Sequence, residues 1–383
     1  MFSERGMEMK SKIKKIIIFI YCIVIAFSLT SCDNKTPGLQ SQPWSSEGVS
    51  ETSSVEKVSS EKEDPSGKGN LWADKRLRIG LAGPGSGRIW NFLVSNDLKH
   101  KSEEWNIVLY NYSEPTSHGQ VYSMKKFIEY DMDIIALCTY EYHDKIYYEG
   151  KTFGWDEALE VVREAGIPVI LVDQEIYCED ESLWVTRVGN DWEKEGEMAG
   201  EWLIDYLKKE GRIDEKIKIL EFSSMENPNN ASQERGQGFK EAIKENINLE
   251  ITSKEVYPDK TYSYEEMANI LSETTDIDVL FCHNDDMALG AIQAIEEAGL
   301  VPGEDILIIS VDGSDKILEY IAEGKVACSV ECNPLMGDLF MEACVRLANG
   351  EEIAREIHPV DRVFDITNAQ AELDARKENG YGY

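Results

Sequence analysis

The segment from Val279 to Gly313 constrains this chain more than any other stretch of it. An apolar run, Val279 to Phe281, ends on the polar residues His283, Asn284, Asp285 and Asp286. Met287, Leu289, Ile292 and Ile295 then recur at helical spacing, and Gly299 stands where a C-terminal helix cap belongs. Pro302-Gly303 makes a turn, and a second apolar run, Ile306 to Val311, ends in Asp312-Gly313. This is a strand–helix–strand unit with polar side chains at the C-terminal ends of both strands. In open parallel sheets, ligands bind at those ends.

The same alternation runs through the chain from Arg76. Apolar runs that read as buried parallel strands are Leu77 to Ala82, Asn106 to Tyr110, Ile134 to Leu137, Val169 to Val172 and Ile217 to Phe222. Helix-period segments separate them: Trp90 to Lys101, Gly119 to Tyr130, Trp155 to Ala165, Glu193 to Glu210, Ser232 to Glu245 and Tyr264 to Thr274. Short continuous apolar strands between amphipathic helices predict an α/β fold with parallel sheets. The strands are too many for one small sheet, and 383 residues suffice for two or three domains, which favours two lobes. A boundary is expected near Arg187 to Asp191, with later extended crossings at Val326 to Pro334 and His358 to Arg362.

The front of the chain is of another kind. Lys10, Lys12, Lys14 and Lys15 precede an apolar run, Ile16 to Phe27, which is too short to be a typical membrane-spanning helix. Leu29-Thr30-Ser31-Cys32 follows and resembles the bacterial lipobox, which implies a signal peptide over 1–31 and a lipid on the Cys32 thiol. Residues 32–75 are rich in Ser, Glu, Lys and Gly and cannot bury enough surface to fold. As a coil of about 40 residues they would reach roughly 35 Å, a leash on which a globule approaches a membrane through its lipid anchor only.

Acidic residues outnumber basic ones by 72 to 39, for a formal charge of −33. That balance argues strongly against nucleic acid as a partner and says nothing against a neutral ligand. Beyond Cys22 in the leader and Cys32, six cysteines remain. Export permits disulfides, but six cysteines allow fifteen pairings. Cys138 and Cys282, near strand ends, also read as plain buried residues. Cys328 and Cys332 lack zinc-finger spacing, and within His283 to Asp286 helix N-terminal capping explains Asp285 and Asp286 better than a metal cluster does.

After the first strand comes Gly83-Pro84-Gly85-Ser86-Gly87-Arg88-Ile89-Trp90-Asn91. Its G-x-G-x-G spacing is not the G-x-G-x-x-G of dinucleotide sites. Taken with this loop, HNDDMALGAIQAIEEAGL, SVDG and Arg235-Gly236-Gln237-Gly238-Phe239 resemble the sugar-binding, type I periplasmic binding proteins, in particular the galactofuranose-binding branch. The resemblance covers about residues 77 to 383. It implies two Rossmann-like lobes with parallel sheets, joined by three crossing segments. The first lobe would be 76–188 plus 333–358, the second 189–332 plus 359–383, with the sugar between them.

The resemblance also implies which residues hold the ligand. Trp90 would stack on the sugar ring, while Asp173, Arg235, Asn284, Asp312 and Glu331 would take its hydroxyls. Carboxylates, amides and guanidinium forks suit hydroxyls, which both donate and accept. Two departures stand out. The family pattern has Arg after the aspartate and after the tryptophan, where this chain has Gln174 and Asn91, and Arg88 is a candidate substitute. Tyr262 and Tyr140 are weaker candidates for the cleft wall. The segment 141–153 looks like an aromatic insertion, able to reshape the site or merely to elaborate the surface.

The function implied is an extracytoplasmic solute-binding lipoprotein of an ABC importer. It would be monomeric and without cofactor, binding galactofuranose or another pentose or hexose for delivery to a permease. A sensor presenting sugar to a membrane kinase or chemoreceptor is the alternative. An exported glycosidase would need two carboxylates roughly 5–10 Å apart, a part that Asp173 and Asp312 could play, but no other hydrolase motif accompanies them.

Overall fold

The computed structural model describes residues 76–84, 89–139, 146–148, 150–225, 230–379 and 382. The chain opens with β1 (Arg78–Pro84), α1 (Ile89–Glu104), β2 (Val108–Glu114), α2 (Ser117–Glu129) and β3 (Ile134–Leu137). A hairpin of β4 (Ile146–Tyr148) and β5 (Lys151–Phe153) follows, then α3 (Trp155–Glu164), β6 (Val169–Val172) and β7 (Thr186–Val188). Next come α4 (Trp192–Lys209), β8 (Ile217–Ser224), α5 (Asn230–Ile243), β9 (Leu249–Val256), α6 (Lys260–Glu273), β10 (Val279–Cys282), α7 (Asp285–Glu297) and β11 (Leu307–Asp312). The chain ends with α8 (Asp315–Ala322), β12 (Cys328–Glu331), α9 (Gly337–Ala348), β13 (Glu356–Ile357), β14 (Val363–Asp365) and α10 (Ala369–Asn379).

Two six-stranded sheets result. The first has the order β13-β7-β6-β3-β1-β2 and is parallel throughout. The second has the order β14-β12-β11-β10-β8-β9, parallel except for β14 against β12. Helices cover both faces of each. The central strands β3, β6 and β10 are buried at every residue, as continuous apolar runs between two helical layers require. Each such Leu, Ile, Val or Phe contributes about 1.5–3 kcal/mol on burial. Leu77, Leu98 and Phe340 pack on one face of the first sheet, and Phe127, Trp155 and Leu159 on the other. In the second sheet the corresponding faces hold Met267, Ile292 and Leu318, and Leu203, Phe239 and Ile309. The 151–153 part of the expected insertion is the second strand of the β4–β5 hairpin, and Ile146 of its first strand is buried with the Phe127–Trp155 core.

The chain passes between the sheets three times, at 189–191, 332–336 and 358–362. These crossings are bonded to one another. Asp361 Oδ1 accepts from Asn190 Nδ2 at 2.9 Å and from the Asn333 N–H at 3.0 Å, so one carboxylate oxygen ties all three. His358 Nδ1 donates to the Gly189 carbonyl at 2.8 Å. Cys138, Cys178, Cys282, Cys328, Cys332 and Cys344 all carry free thiols, and all but Cys178 are buried. Among the described residues, no helix is long and apolar enough to cross a membrane.

Candidate functional site

Each sheet delivers an aspartate in an unusual backbone conformation at its C-terminal edge. Asp173 follows β6 with φ 62°, and Asp312 closes β11 with φ 121°. Aspartate tolerates the first value, because its short side chain bonds locally. The second strains any residue with a Cβ, at roughly 1–3 kcal/mol, and persists only where the surroundings enforce it. The Asp173 N–H donates to Val188 O at 2.9 Å, and Arg187 Nη1 donates to the Asp173 carbonyl at 2.9 Å. The Asp312 carbonyl accepts from Cys332 N–H at 3.2 Å, fixing β11 against the crossing that follows β12.

Both carboxylates are poorly solvated. Asp173 is 3% exposed and accepts from Gln174 Nε2 at 2.8 Å. Burial pushes it up to about 6, against the opposing pull of Gln174, Arg187 and Arg235. Asp312 keeps 29% of its side chain open, yet burial of the carboxyl pushes it up to about 7. Arg235 pulls Asp312 down and the neighbouring Asp285 pushes it up.

The cation that acts on both is Arg235, near the start of α5. Its Nε donates to Glu195 Oε2 at 2.6 Å and its Nη1 to the His283 carbonyl at 2.7 Å. Nη2 lies 3.7 Å from Asp312 Oδ1, too far for a hydrogen bond. Two fixed partners thus hold the guanidinium while its third nitrogen faces the aspartate. Burial pushes the Glu195 carboxyl up to about 8, against the pull of the Arg235 guanidinium bonded to it. The outcome is a pair of carboxyls that only accept when ionised, beside a donor-only guanidinium. Such a set takes hydroxyl groups, which donate to the first and accept from the second.

The other expected residues divide. Gln174 is bonded to Asp173 and so belongs to the cluster. Trp90, in the first turn of α1, packs against the apolar cores of both sheets, and its Nε1 reaches the Cys332 carbonyl at 3.4 Å. Asn91 is half-buried beside it. Asn284 is the N-cap of α7: its Oδ1 accepts from Met287 N–H at 2.8 Å, which leaves its amide hydrogens to face outward or toward Pro258 O at 3.5 Å. Tyr262 is 53% exposed and meets Tyr257 edge-on. Arg88, Tyr140 and Cys32 lie outside the described residues.

Two expectations need correction. Glu331 is not available to a ligand, because Arg362 forks onto both its oxygens at 2.6 and 2.7 Å and its side chain is 3% exposed. It ties β12 to the last crossing. Asp285 is not a helix cap: its carboxylate is buried and accepts from Ser310 Oγ, Ser314 N–H and Ser329 Oγ, joining β11 and β12 beneath Asp312. Among the described residues no group of His, Cys, Asp and Glu is placed to hold a metal ion.

Glu195 and Arg187 escaped the sequence reading. Glu195 had a signal: Trp192, Ala199, Leu203 and Leu207 mark the apolar face of α4, and Glu195 stands on that face. A carboxylate at a core position needs a buried partner.

A family model described as the periplasmic binding protein domain matches residues 149–352, more than half of the chain. The chain belongs to the periplasmic binding protein family. It is 28% identical over 320 residues to the galactofuranose-binding protein of Escherichia coli, covering 80% of this chain and 93% of that one. A protein from Mycobacterium smegmatis, solved in complex with β-D-fucofuranose, is 31% identical with a TM-score of 0.67, over 79% of this chain and 96% of its own. The periplasmic binding protein component of the arabinose ABC transporter from Shewanella sp. ANA-3, solved with α- and β-L-arabinofuranose, is 30% identical with a TM-score of 0.69, over 79% and 97%. The galactofuranose-binding protein and the arabinose transporter component are binding proteins, and this chain, a member of their family, is a binding protein and not an enzyme. Asp173 and Asp312 sit at the strand ends where open α/β sheets bind ligands, and Arg235 stands in the helix that follows β8.

Proposed function

We propose that this periplasmic binding protein takes a monosaccharide between its two sheets, with a five-membered sugar ring as the preferred form, and presents it to an ABC permease. The observation that carries the reading is that Arg235 acts electrostatically on an aspartate from each sheet, Asp173 and Asp312. Asp173 and Arg235 are buried, Asp312 is partly open, and both aspartates are held at positive φ. Strain and desolvation concentrated at one point are characteristic of ligand sites. The furanose preference rests on the relatives, two of which were solved with furanoses. A Kd near 1 μM is about 8 kcal/mol, within reach of one stacked indole and several charge-assisted hydrogen bonds.

The test is calorimetry on the chain that follows Cys32, with galactose, arabinose, ribose, fructose, glucose and xylose. One sugar is expected to bind with a micromolar or tighter Kd. Its hydroxyls donate to the carboxylates and so favour their ionised forms. Binding is therefore expected to release protons between pH 6 and 7, the range to which burial raises Asp173 and Asp312, and to tighten as pH rises through that range. Heats measured in two buffers of different ionisation enthalpy reveal the release. Silence across the panel would overturn the monosaccharide reading.

Anchoring by lipid on Cys32 is part of the same proposal and is supported by the basic leader, the apolar run and the Leu-Thr-Ser-Cys sequence alone. A Cys32→Ala chain is expected to leave the membrane fraction and to lose incorporation of labelled palmitate. Retention of both in the variant would refute the anchor.

A further inference from the structure

Next to Arg235, joined to it through the His283 carbonyl, lies a chain of buried polar groups with no part in the binding site. Glu221 projects from β8 and is wholly buried. Its Oε1 meets His283 Nε2 at 3.1 Å, and its Oε2 accepts from Lys240 Nζ at 2.7 Å and from Ser253 Oγ. The other nitrogen of the ring, His283 Nδ1, meets Ser232 Oγ at 2.7 Å. Ser232 Oγ in turn accepts from the Ser224 N–H at 2.8 Å, at the end of β8.

Serine, histidine and glutamate in line resemble a hydrolase triad, but the environment denies that role. Ser232 is 5% exposed, and its oxygen already accepts a backbone N–H. A nucleophile needs a free approach for the attacked carbon and a donor pair for the oxyanion, and none is built here. The protons along the chain have one consistent order. Burial alone would raise Glu221, but His283, Lys240 and Ser253 overcome it and hold the carboxylate at about 2. Burial keeps the His283 imidazole neutral, pushing it below its ordinary value against the pull of Glu221. A carboxylate only accepts, so Nε2 carries the ring proton. Nδ1 then accepts, and the Ser232 hydroxyl donates to it.

Every link is therefore fixed, and both ends of the chain act on α5. Ser232 lies one turn before Arg235, and Lys240 lies farther along the same helix. The His283 carbonyl accepts directly from Arg235 Nη1. Gly236 lets the helix rest on the pair, since a Cβ there would stand 2.8 Å from Glu221 Oε1 and 3.1 Å from His283 Cε1. We propose that Glu221, His283 and Ser232 are positioning residues: they clamp the first turns of α5 onto β8 and β10, and so hold the Arg235 guanidinium at a fixed distance from Asp312. The consequence for affinity rests on the sugar reading; the clamp itself does not.

The test needs no sugar. In the folded chain with ¹⁵N-labelled arginine, the Arg235 Nε–H gives a slowly exchanging NMR signal, because it is buried and bonded to Glu195; Arg235→Lys identifies it by its loss. Ser232→Ala removes the donor to Nδ1. It is expected to speed exchange of that proton at least tenfold, while the thermal midpoint moves by only a few degrees. Ser232→Thr keeps a hydroxyl and is expected to restore slow exchange, which a mere loss of packing would not do. Lys240→Met is a second variant, at a half-exposed side chain, that unloads Glu221 from outside; a smaller acceleration of about threefold is expected. Unaltered Arg235 exchange in Ser232→Ala and Lys240→Met would overturn the proposal, as would failure of Ser232→Thr to rescue. A positive result combined with silence across the sugar panel would fault the sugar reading and leave the clamp standing.

Discussion

Asp312→Gly is expected to lose at least a hundredfold in sugar affinity and yet to melt at a higher temperature than the native chain. A hundredfold is about 2.7 kcal/mol, the worth of one or two charge-assisted hydrogen bonds between ring hydroxyls and the carboxylate. The gain in stability has two sources. Glycine accepts φ 121° without the roughly 1–3 kcal/mol of strain that Asp312 carries, although about 0.5–1 kcal/mol is returned as unfolded-state entropy. The substitution also removes a desolvated carboxylate. Burial raises this acid from 3.8 to about 7. Its contribution to stability is therefore complete only below 3.8, and is progressively lost as pH rises toward 7. The native chain bears more of that loss at pH 8 than at pH 5, so the rise in melting temperature should be larger at pH 8. Calorimetric titration and thermal melts at the two pH values check both halves. Unchanged affinity would remove Asp312 from the site. A lower melting temperature at pH 8 would show that neither strain nor desolvation is stored there.

A site that trades stability for binding in this way was only partly legible in the sequence. The strand–helix–strand pattern placed β3 and β6 to the residue, because central parallel strands are apolar throughout and end where polarity begins. It placed Asp173 and Asp312 at strand ends for the same reason. Edge strands were harder. β9 lies at the rim of the second sheet and is mostly exposed, so its residues Leu249 to Val256 show no continuous apolar run. β2 runs on through Asn111, Tyr112, Ser113 and Glu114 because it pairs with β1 on one side alone. Partnerships across the fold were harder still. Nothing in the spacing of Glu331 distinguishes a ligand contact from the partner of Arg362, which lies 31 residues away. His283 was visible as part of a polar tetrad, yet its bonds to Ser232 and Glu221 join three elements that only the sheet order brings together. The left-handed φ of Asp312 left no trace, since the position is followed by glycine and reads as an ordinary turn.

The sequence Arg235-Gly236-Gln237-Gly238-Phe239 was legible as a pattern without its physical reason, and that reason yields the second large effect. Alanine replaces glycine inside a helix with a gain of about 1 kcal/mol when nothing else intervenes. Gly238→Ala is expected to reverse that sign and to destabilise the folded chain by about 2 kcal/mol or more. The added Cβ would stand 1.9 Å from the Glu193 carbonyl oxygen on α4, an atom of the backbone that has no rotamer to escape into. The contact is reciprocal: a Cβ on Gly196 of α4 would stand 1.9 Å from the Arg235 carbonyl on α5. α4 and α5 thus cross backbone against backbone, and either substitution must drive the helices apart. Overpacking of this kind costs about 1–3 kcal/mol and occasionally more, and here the upper end applies because neither helix can yield locally. Separation has a second consequence. Glu195 and Arg235 belong to the two helices at this crossing, so parting them stretches the 2.6 Å bond between two buried groups. Such a bond is costly to break, because the buried guanidinium is left without its partner. Urea denaturation should therefore show a lower midpoint at unchanged slope, and the Asp312-facing nitrogen of Arg235 should no longer be held in place. Equal or greater stability of Gly238→Ala would mean that the helices have room to spare. The close crossing could then no longer explain why Arg235 stands beside Asp312.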